Sequence, residues 1–228
     1  MSEAVRAMFS SIAPNYDRTN TALSLGVHHL WRTITVRESG AKPGDEVLDC
    51  ATGTGDLAIA FKKTVGSGRV VGTDFCADML SFAPGKANAM SLDIAFEVAD
   101  AMDLPYADAT FDIASISFGI RNVDDPSRCL AEMARVVRPG GRVVVLEFGQ
   151  PKGIMGLSYR WYSRHVIPVV GKMLTGNREA YAYLPETAAA FPCREAFLDL
   201  MRGTNRYASV RYRALTGGIA FVYVGIVK

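Results

Sequence analysis

The residues whose types and spacing are most informative are carboxylates beside a glycine turn. The stretch VLDCATGTGDLA places Gly53, Gly55 and Ala58 at the three small-residue positions of a dinucleotide fingerprint. It also places Asp49 just before the turn and Asp56 just after it, beside the helix start where a diphosphate would bind. Two unit charges 4 Å apart interact by about 4 kcal/mol at an effective dielectric of 20, which matches or exceeds what a helix dipole offers an anion. The turn therefore favours a cationic or neutral ligand, although Asp56 taken alone is better explained as a helix-capping residue.

Two further carboxylates end the next two predicted strands. Asp74 lies 19 residues after Gly55, and Asp100 follows the third strand. Ligands of open α/β sheets bind beyond the carboxyl ends of the strands. S-adenosylmethionine fits this set of acids, because it is a nucleoside with an ammonium and a sulfonium and no phosphate. We expect Asp49 to face the ammonium and Asp74 to accept both ribose hydroxyls. Asp100 and the amide of Ala101 are expected to meet the adenine edge, while the glycines let the backbone approach the ligand.

The elements that position these acids alternate along the chain. From residue 45 onward, short β-branched runs alternate with helical patterns near residues 56–65, 76–90 and 126–137, the last stopped by RPGG. The predicted strands are DEVLDC, RVVGTD, IAFEVAD, FDIASIS and GRVVVLEF. This alternation predicts an α/β fold with a parallel sheet and helices on both faces. ASVRYRAL and IAFVYVGIVK, joined through TGG, are predicted to form an antiparallel hairpin at the C-terminus.

Length and composition are those of an ordinary globular protein. The chain has 228 residues, of which 49% are hydrophobic and 21% charged, with a formal net charge of +2. We expect a single domain over residues 1–228, with a helical N-terminal lid at 1–40 and a helical insertion or cap at 151–190. The small net charge does not indicate a nucleic-acid partner, and the four scattered cysteines and three histidines do not indicate a metal site. Without a leader or an apolar run of roughly 20 residues, we expect a cytoplasmic protein.

Longer motifs connect the chain with a known family. YDRTNTALSLGVHHLWR, ATGTGD, SFGIRNVDD, RVVRPGGRVVVLEF, YLPETAAAFP and LTGGIA together run over nearly the whole chain. With these motifs the chain resembles the ubiquinone/menaquinone biosynthesis C-methyltransferases, which have the Rossmann-like class I methyltransferase fold; FGIRN is specific to that family. The resemblance implies a seven-stranded sheet and S-adenosylmethionine as the methyl donor. The positions that match the family's cofactor positions are Thr54, Asp74, Asp100, Ala101 and Ser117.

The reaction implied by the resemblance is methylation of a ring carbon of a polyprenylated hydroquinone, in menaquinone or ubiquinone biosynthesis. A ring carbon is a poor nucleophile until a neighbouring hydroxyl ionises, and a phenol with a pKa near 10 is mostly protonated at neutral pH. Arg121 in FGIRN is the first catalytic candidate, as a permanent cation that holds the developing phenolate directly or through a water molecule. Its alternative role is an ion pair with Asp124 or Asp125. His28 is the second candidate, as a proton acceptor, and its alternative role is a capping or packing histidine.

A basic, aromatic-rich stretch indicates how the enzyme reaches a lipid substrate. Residues 151–178 contain no acidic residue. The basic residues of this stretch are Lys152, Arg160, Arg164, Lys172 and Arg178. Such a surface fits peripheral contact with an anionic membrane, at about 1 kcal/mol per basic residue. A solvated helix pair that covers the sheet and a homodimer interface are the alternatives.

Other functions stay open at this point. One is a methyltransferase with the same cofactor that acts on another small phenolic or lipid amine acceptor. A nicotinamide-dependent dehydrogenase and a module that binds the cofactor without catalysis are the others. A base-modifying methyltransferase is disfavoured, because SFGIRN stands where such enzymes often carry Asn-Pro-Pro-Tyr.

Overall fold

A seven-stranded sheet runs through the structure, a computed structural model that describes residues 3–175 and 178–228, except for the side chains of residues 178–180, 182 and 184. The strands are β1 (Val47–Cys50), β2 (Val70–Asp74), β3 (Ala95–Val98), β4 (Phe111–Ser117), β5 (Val137–Phe148), β6 (Tyr207–Leu215) and β7 (Ala220–Val227). Their order across the sheet is β3-β2-β1-β4-β5-β7-β6. Neighbours from β3 to β5 are parallel, whereas β7 is antiparallel to β5 and β6. The predicted mostly parallel sheet with an antiparallel C-terminal hairpin is confirmed.

Helices precede the sheet, alternate with its strands and form a long insertion after β5. They are α1 (Glu3–Ile12), α2 (Tyr16–Ser24), α3 (Val27–Ser39), α4 (Asp56–Val65), α5 (Ala77–Leu80), α6 (Ala83–Ala89), α7 (Pro126–Arg135), α8 (Gly153–His165), α9 (Ile167–Thr175), α10 (Arg178–Ala190) and α11 (Glu195–Gly203). The predicted N-terminal helical segment corresponds to α1–α3, and the predicted insertion contains α8–α10. Among the residues that the structure describes, no helix has the length and apolar character needed to cross a membrane.

The helix predicted over residues 76–90 is two helices. It is interrupted at Ser81 and Phe82, and Pro84 lies in the first turn of α6. Proline fits the first turn of a helix, where its missing N–H would have no intrahelical partner, but it disrupts a helix interior. The helix predicted over residues 126–137 ends at Arg135, because Val137 already pairs with β4.

Two apolar layers enclose the sheet. On one face, Leu130 of α7 and Phe197 of α11 pack against Val145 and other sheet residues. On the other face, Trp31 of α3 and Phe61 of α4 pack against the sheet. Because both faces are covered, the central strands β1 and β2 are buried along their whole length.

A third apolar cluster joins the N-terminal helices to the insertion. Phe9 and Ile12 of α1 pack with Met79 of α5 and with the fully buried Tyr181 of α10. The hydroxyl of Tyr162 in α8 donates a hydrogen bond to a backbone carbonyl at the end of α2, at 2.8 Å. The N-terminal helices and the helices of the insertion therefore pack on one another at the same end of the sheet.

Candidate active site

A cavity of about 430 Å³ lies between the carboxyl ends of β1 and β4 and the helices α2, α3 and α8. This volume is within the range of small-molecule sites. Its wall is mainly apolar and includes Phe118 and Phe148. Six of the predicted site residues line it, namely His28, Asp49, Gly53, Thr54, Ser117 and Arg121. Four predicted residues do not line it, namely Gly55, Asp74, Asp100 and Ala101.

The two glycines of the turn have different surroundings. Both have positive φ, +59° at Gly53 and +85° at Gly55, where side chains are strained. A Cβ on Gly53 would meet only the end of Met79, at 3.5 Å. A Cβ on Gly55 would lie 2.9 Å from the Cβ of Ala83 and 3.2 Å from the ring of Phe96. Gly53 therefore leaves room beside the cavity, whereas Gly55 lets α4 begin close to α6 and β3.

Asp49 is a fully buried acid at the floor of the cavity. One carboxylate oxygen accepts a hydrogen bond from the Ser115 hydroxyl and the other from the Thr52 hydroxyl, both at 2.6 Å. Burial raises the pKa of Asp49 to about 6, and the two hydroxyl bonds act against that rise. At neutral pH the residue is an anion, and among the described residues no cationic side chain forms a salt bridge with it, although the charge of Arg32 acts on it from a distance. A cation in the cavity would therefore be stabilised beside Asp49.

Asp74 shapes the turn from the end of β2. Its carboxylate accepts hydrogen bonds from the N–H of Gly53 and the N–H of Cys76, both at 2.8 Å. Burial raises the pKa of Asp74, and the two amide bonds act against that rise. A carboxylate has about four lone-pair positions, so these two bonds leave acceptor capacity for hydroxyl donors. Asp100 accepts from the N–H of Met102 at 2.9 Å. The contacts of Asp74, Asp100 and Ala101 with ribose and adenine stay predictions.

Asp56 belongs to a charged network that the sequence did not reveal. It forms a salt bridge with Arg32 of α3 at 2.7 Å and another with Lys86 of α6. Lys86 also pairs with Asp17 of α2 at 2.7 Å, and Asp17 accepts a hydrogen bond from the Thr54 hydroxyl at 2.6 Å. Asp56 is thus the first residue of its helix and makes ion pairs, whereas the predicted capping role is absent. These ion pairs and the hydrogen bond from Thr54 connect α2 and α3 with the glycine turn.

Arg121 lies in a short 3-10 turn after β4, with its side chain 2% exposed. Its Nη1 donates to Glu147 Oε1 at 2.7 Å and to the carbonyl of Phe118 at 2.6 Å. The guanidinium carbon lies 5.3 Å from the centre of the Phe148 ring. The structure shows this buried pair with Glu147 in place of the alternative pair with Asp124 or Asp125.

Glu147 is the partner that sequence reasoning missed. The one available signal was an acid inside the otherwise apolar strand sequence VVVLEF. Its side chain is 1% exposed, and burial raises its pKa while the charge of Arg121 acts against that rise. Glu147 Oε2 and Arg121 Nε are both buried without a hydrogen-bond partner. The pair is therefore only half satisfied, which is costly for buried polar atoms.

The charge of Arg121 acts on the phenols around the cavity. Burial raises the pKa of Tyr159 to about 12, and burial also raises that of Tyr16. In both cases the nearby Arg121 charge acts in the opposite direction and favours the phenolate. A phenolic ligand in the cavity would experience the same stabilisation of its anion.

His28 is buried in the cavity wall at the start of α3, 5% exposed. Its Nδ1 lies 2.6 Å from the Ser24 hydroxyl, and its ring centre lies 3.9 Å from that of His29. Burial, followed by the charges of Arg32 and His29, lowers the pKa of His28 to about 4. The imidazole is therefore neutral at physiological pH.

Within the described parts of the chain, no group of three or more His, Cys, Asp or Glu residues could hold a metal ion.

Comparisons with known proteins find similarity to methyltransferases over nearly the whole chain. A model of the ubiE/COQ5 methyltransferase family matches residues 1–227. The ubiquinone/menaquinone biosynthesis C-methyltransferase UbiE of Bdellovibrio bacteriovorus is 60% identical over 227 residues, covering 99% of this chain and 97% of that protein. A demethylmenaquinone methyltransferase of Deinococcus radiodurans is 49% identical over 224 residues, covering 98% and 92%. A solved SAM-dependent methyltransferase of Thermotoga maritima has a TM-score of 0.68 at 20% identity, with 97% of this chain and 99% of that chain covered.

Proposed function

Because the chain belongs to the ubiE/COQ5 methyltransferase family, we propose that it transfers the methyl group of S-adenosylmethionine to a ring carbon of a polyprenylated hydroquinone. The acceptor class is demethylmenaquinol or the equivalent benzoquinol of ubiquinone biosynthesis. The observation that carries this proposal is a buried cation, Arg121, in the wall of the same cavity whose floor holds the buried anion Asp49. One charge suits a cationic methyl donor, and the other suits an acceptor that reacts as an anion.

The donor end of the site is built around the glycine turn. When bound, S-adenosylmethionine supplies a methyl group made electrophilic by its sulfonium. The buried carboxylate of Asp49 stabilises the positive charge of the donor, and Gly53 leaves room for it beside the turn. The full set of residues that we propose for cofactor binding is Asp49, Gly53, Thr54, Gly55, Asp74, Asp100, Ala101 and Ser117.

The acceptor end is the part of the cavity beside Arg121, where the quinol ring would bind. Stabilising the oxyanion next to the reacting carbon raises electron density on that carbon, so the carbon becomes a nucleophile. Removing one such donor commonly reduces turnover by about 10²–10³. His28, neutral and in the same wall, is the proposed proton acceptor. The apolar wall around Phe118 and Phe148 excludes water from the carbon that is methylated.

The outer face of α8 and α9 is the proposed contact with an anionic membrane. Ile154, Trp161 and Met173 are 84%, 63% and 80% exposed. Of the five predicted basic residues of this stretch, Lys152, Arg160, Arg164 and Lys172 have exposed side chains, and the side chain of Arg178 lies outside the described residues. Because Tyr159 on the same helix lines the cavity, a lipid-bound α8 would bring the cavity next to the bilayer.

Product analysis tests the reaction. The protein is incubated with methyl-labelled S-adenosylmethionine and, in separate arms, reduced demethylmenaquinone, the demethylated benzoquinol, a simple phenol and a lipid amine. We expect one labelled methyl group on a ring carbon of a quinol, located by mass spectrometry. A label on oxygen or nitrogen would assign the enzyme to another methyl acceptor. NADH binding without S-adenosylmethionine binding would contradict the proposal altogether.

Vesicle binding tests the surface. Co-sedimentation is compared between vesicles of phosphatidylglycerol with phosphatidylcholine and vesicles of phosphatidylcholine alone. We expect binding only to the anionic vesicles and its loss in an Arg160→Glu, Arg164→Glu double variant. An Arg206→Glu variant, changed at an exposed arginine outside this face, is the control. Equal binding by all variants would overturn the assignment, and a dimer that the double variant dissociates would assign the face to a second copy of the chain.

A further inference from the structure

Ser24 connects a backbone carbonyl with the imidazole of His28. Its Oγ lies 2.7 Å from the carbonyl oxygen of Asn20 and 2.6 Å from His28 Nδ1. A carbonyl can only accept, so the single hydroxyl hydrogen of Ser24 is donated to Asn20. The Ser24 oxygen must then accept from His28, which places the imidazole hydrogen on Nδ1. In the neutral ring, Nε2 is left as the acceptor nitrogen.

The surroundings keep that ring neutral. Arg32 and His29 of the same helix and burial in the wall all disfavour the imidazolium. Asp56 of α4 and Asp17 of α2 favour it but do not reverse the result. The structure therefore supplies a neutral imidazole in the wall of the same cavity as Arg121, and no hydrogen bond joins its Nε2 to another of the described residues.

The proposed reaction requires a proton acceptor of this kind. The quinol hydroxyl first loses its proton to solvent. The ring carbon of the resulting anion attacks the methyl group, a carbon–carbon bond forms, and the sulfur–methyl bond breaks with its electron pair staying on sulfur. The methylated carbon still carries its hydrogen. That C–H bond must break, with its electron pair returning to the ring and its proton going to a base. Because this step restores aromaticity, a weak base that is unprotonated at neutral pH is sufficient.

We propose that Ser24 is a positioning residue that fixes the tautomer of His28, so that His28 Nε2 accepts the proton from the newly methylated ring carbon. This inference rests on the proposed function and extends it to the second half of the reaction. Thr21 on the same helix provides the contrast, because its hydroxyl donates to the carbonyl of Asp17, at 2.8 Å, and has no other hydrogen bond among the described residues. Ser24 differs from Thr21 by the additional bond to a cavity side chain.

The test uses a short-chain quinol acceptor that carries deuterium at the reacting ring carbon. In the wild-type enzyme we expect no isotope effect on kcat, because methyl transfer is slower than proton removal. In Ser24→Ala we expect kcat to fall about tenfold, the scale of one lost hydrogen bond, and a primary isotope effect to appear. Ser24→Thr should restore the wild-type behaviour, and Thr21→Ala should match the wild type. A purely structural role would not produce an isotope effect.

A double-mutant cycle separates this role from a general loss of stability. His28→Ala should show the same isotope effect, and adding Ser24→Ala to it should lower kcat no further, because both changes remove one function. An additive loss, or a fall in kcat without an isotope effect, would overturn the role of Ser24. If the wild-type enzyme made no C-methylated product, the proposed function itself would fail, which is a different result.

Discussion

The two ends of the cavity both carry a buried charge, but their hydrogen bonding differs. At the donor end, both carboxylate oxygens of Asp49 accept hydrogen bonds from the hydroxyls of Thr52 and Ser115. At the acceptor end, Glu147 Oε1 accepts hydrogen bonds from Arg121 Nη1 and from the N–H of Phe148, whereas Arg121 Nε and Glu147 Oε2 have no hydrogen-bond partner among the described residues. Both oxygens of Asp49 are therefore hydrogen-bonded, whereas the Arg121–Glu147 pair has two buried polar atoms without a hydrogen bond.

We propose that this difference in hydrogen bonding corresponds to two tasks. The sulfonium of the donor loses its charge as the methyl group leaves, but the α-ammonium keeps its charge, so a fixed anion beside the ammonium serves the donor throughout. The acceptor becomes anionic only as it reacts, and an incompletely satisfied cation interacts more strongly with the reacting form than with the neutral quinol. We infer that the donor end determines cofactor affinity and the acceptor end determines turnover. The following predictions test that division, in order of decreasing effect.

Changing Arg121 should give the largest effect. In Arg121→Lys we expect kcat to fall by about 10²–10³, because the broad planar donor that faces the oxyanion is lost. The dissociation constant of S-adenosylmethionine, measured by calorimetry, should stay within about threefold of the wild type. Because a single change disturbs the buried charge of Glu147, Arg121→Met combined with Glu147→Gln is measured in parallel. Unchanged turnover in both variants would contradict the assignment of Arg121.

Changing Asp49 should give the opposite pattern. Asp49→Asn keeps the size of the side chain and removes its charge, so we expect S-adenosylmethionine to bind about 10–100-fold more weakly. At saturating cofactor, kcat should change much less. Asp93→Asn, at an exposed acid in the loop before β3, is the matched control. A variant that lost turnover and kept cofactor affinity would reverse the proposed division.

The pKa of Asp49 gives a smaller effect with a defined sign. Burial raises that pKa to about 6 from 3.8, so the folded protein holds the proton more tightly than the unfolded chain. The stability contribution of this residue therefore decreases as pH rises from about 4 to about 6. A bound cation favours the carboxylate, so cofactor affinity should rise with pH until Asp49 is ionised in the free protein, near pH 7, and become constant above that pH. Calorimetric titrations between pH 5 and pH 7 should show this rise, by about tenfold, and Asp49→Asn should abolish it. Affinity that is independent of pH in the wild type would contradict a cation beside Asp49.

The sequence predicted the sheet and the strand-end acids better than it predicted their partners. Alternation of β-branched runs and helices is a local signal, and it places Asp49, Asp74 and Ser117 at strand ends without tertiary information. The partner of Arg121 depends on how β4 pairs with β5. That register sets Ser117 opposite Leu146, and Glu147 therefore lies next to the end of β4. Register is a property of the folded sheet, so the sequence offered only nearby aspartates as partners.

The contacts between helices were likewise not predictable from the sequence. Helical periodicity predicted helices within residues 1–40 and 151–190. It could not predict that Arg32 and Lys86 converge on Asp56, because α3 and α6 are separated by several elements in the chain. Ion-pair partners of this kind are determined by helix packing, which sequence spacing alone does not report.

The most direct test of the division between the two ends is the ionisation of a phenolic probe bound at the acceptor end. 1-Naphthol is bound to the protein saturated with S-adenosylhomocysteine, and its absorbance is followed as pH is raised. We expect bound naphthol to ionise at a lower pH than naphthol in water, and we expect Arg121→Lys to remove most of this shift while Asp49→Asn does not. A bound naphthol that ionises at the same pH as in water would contradict this expectation.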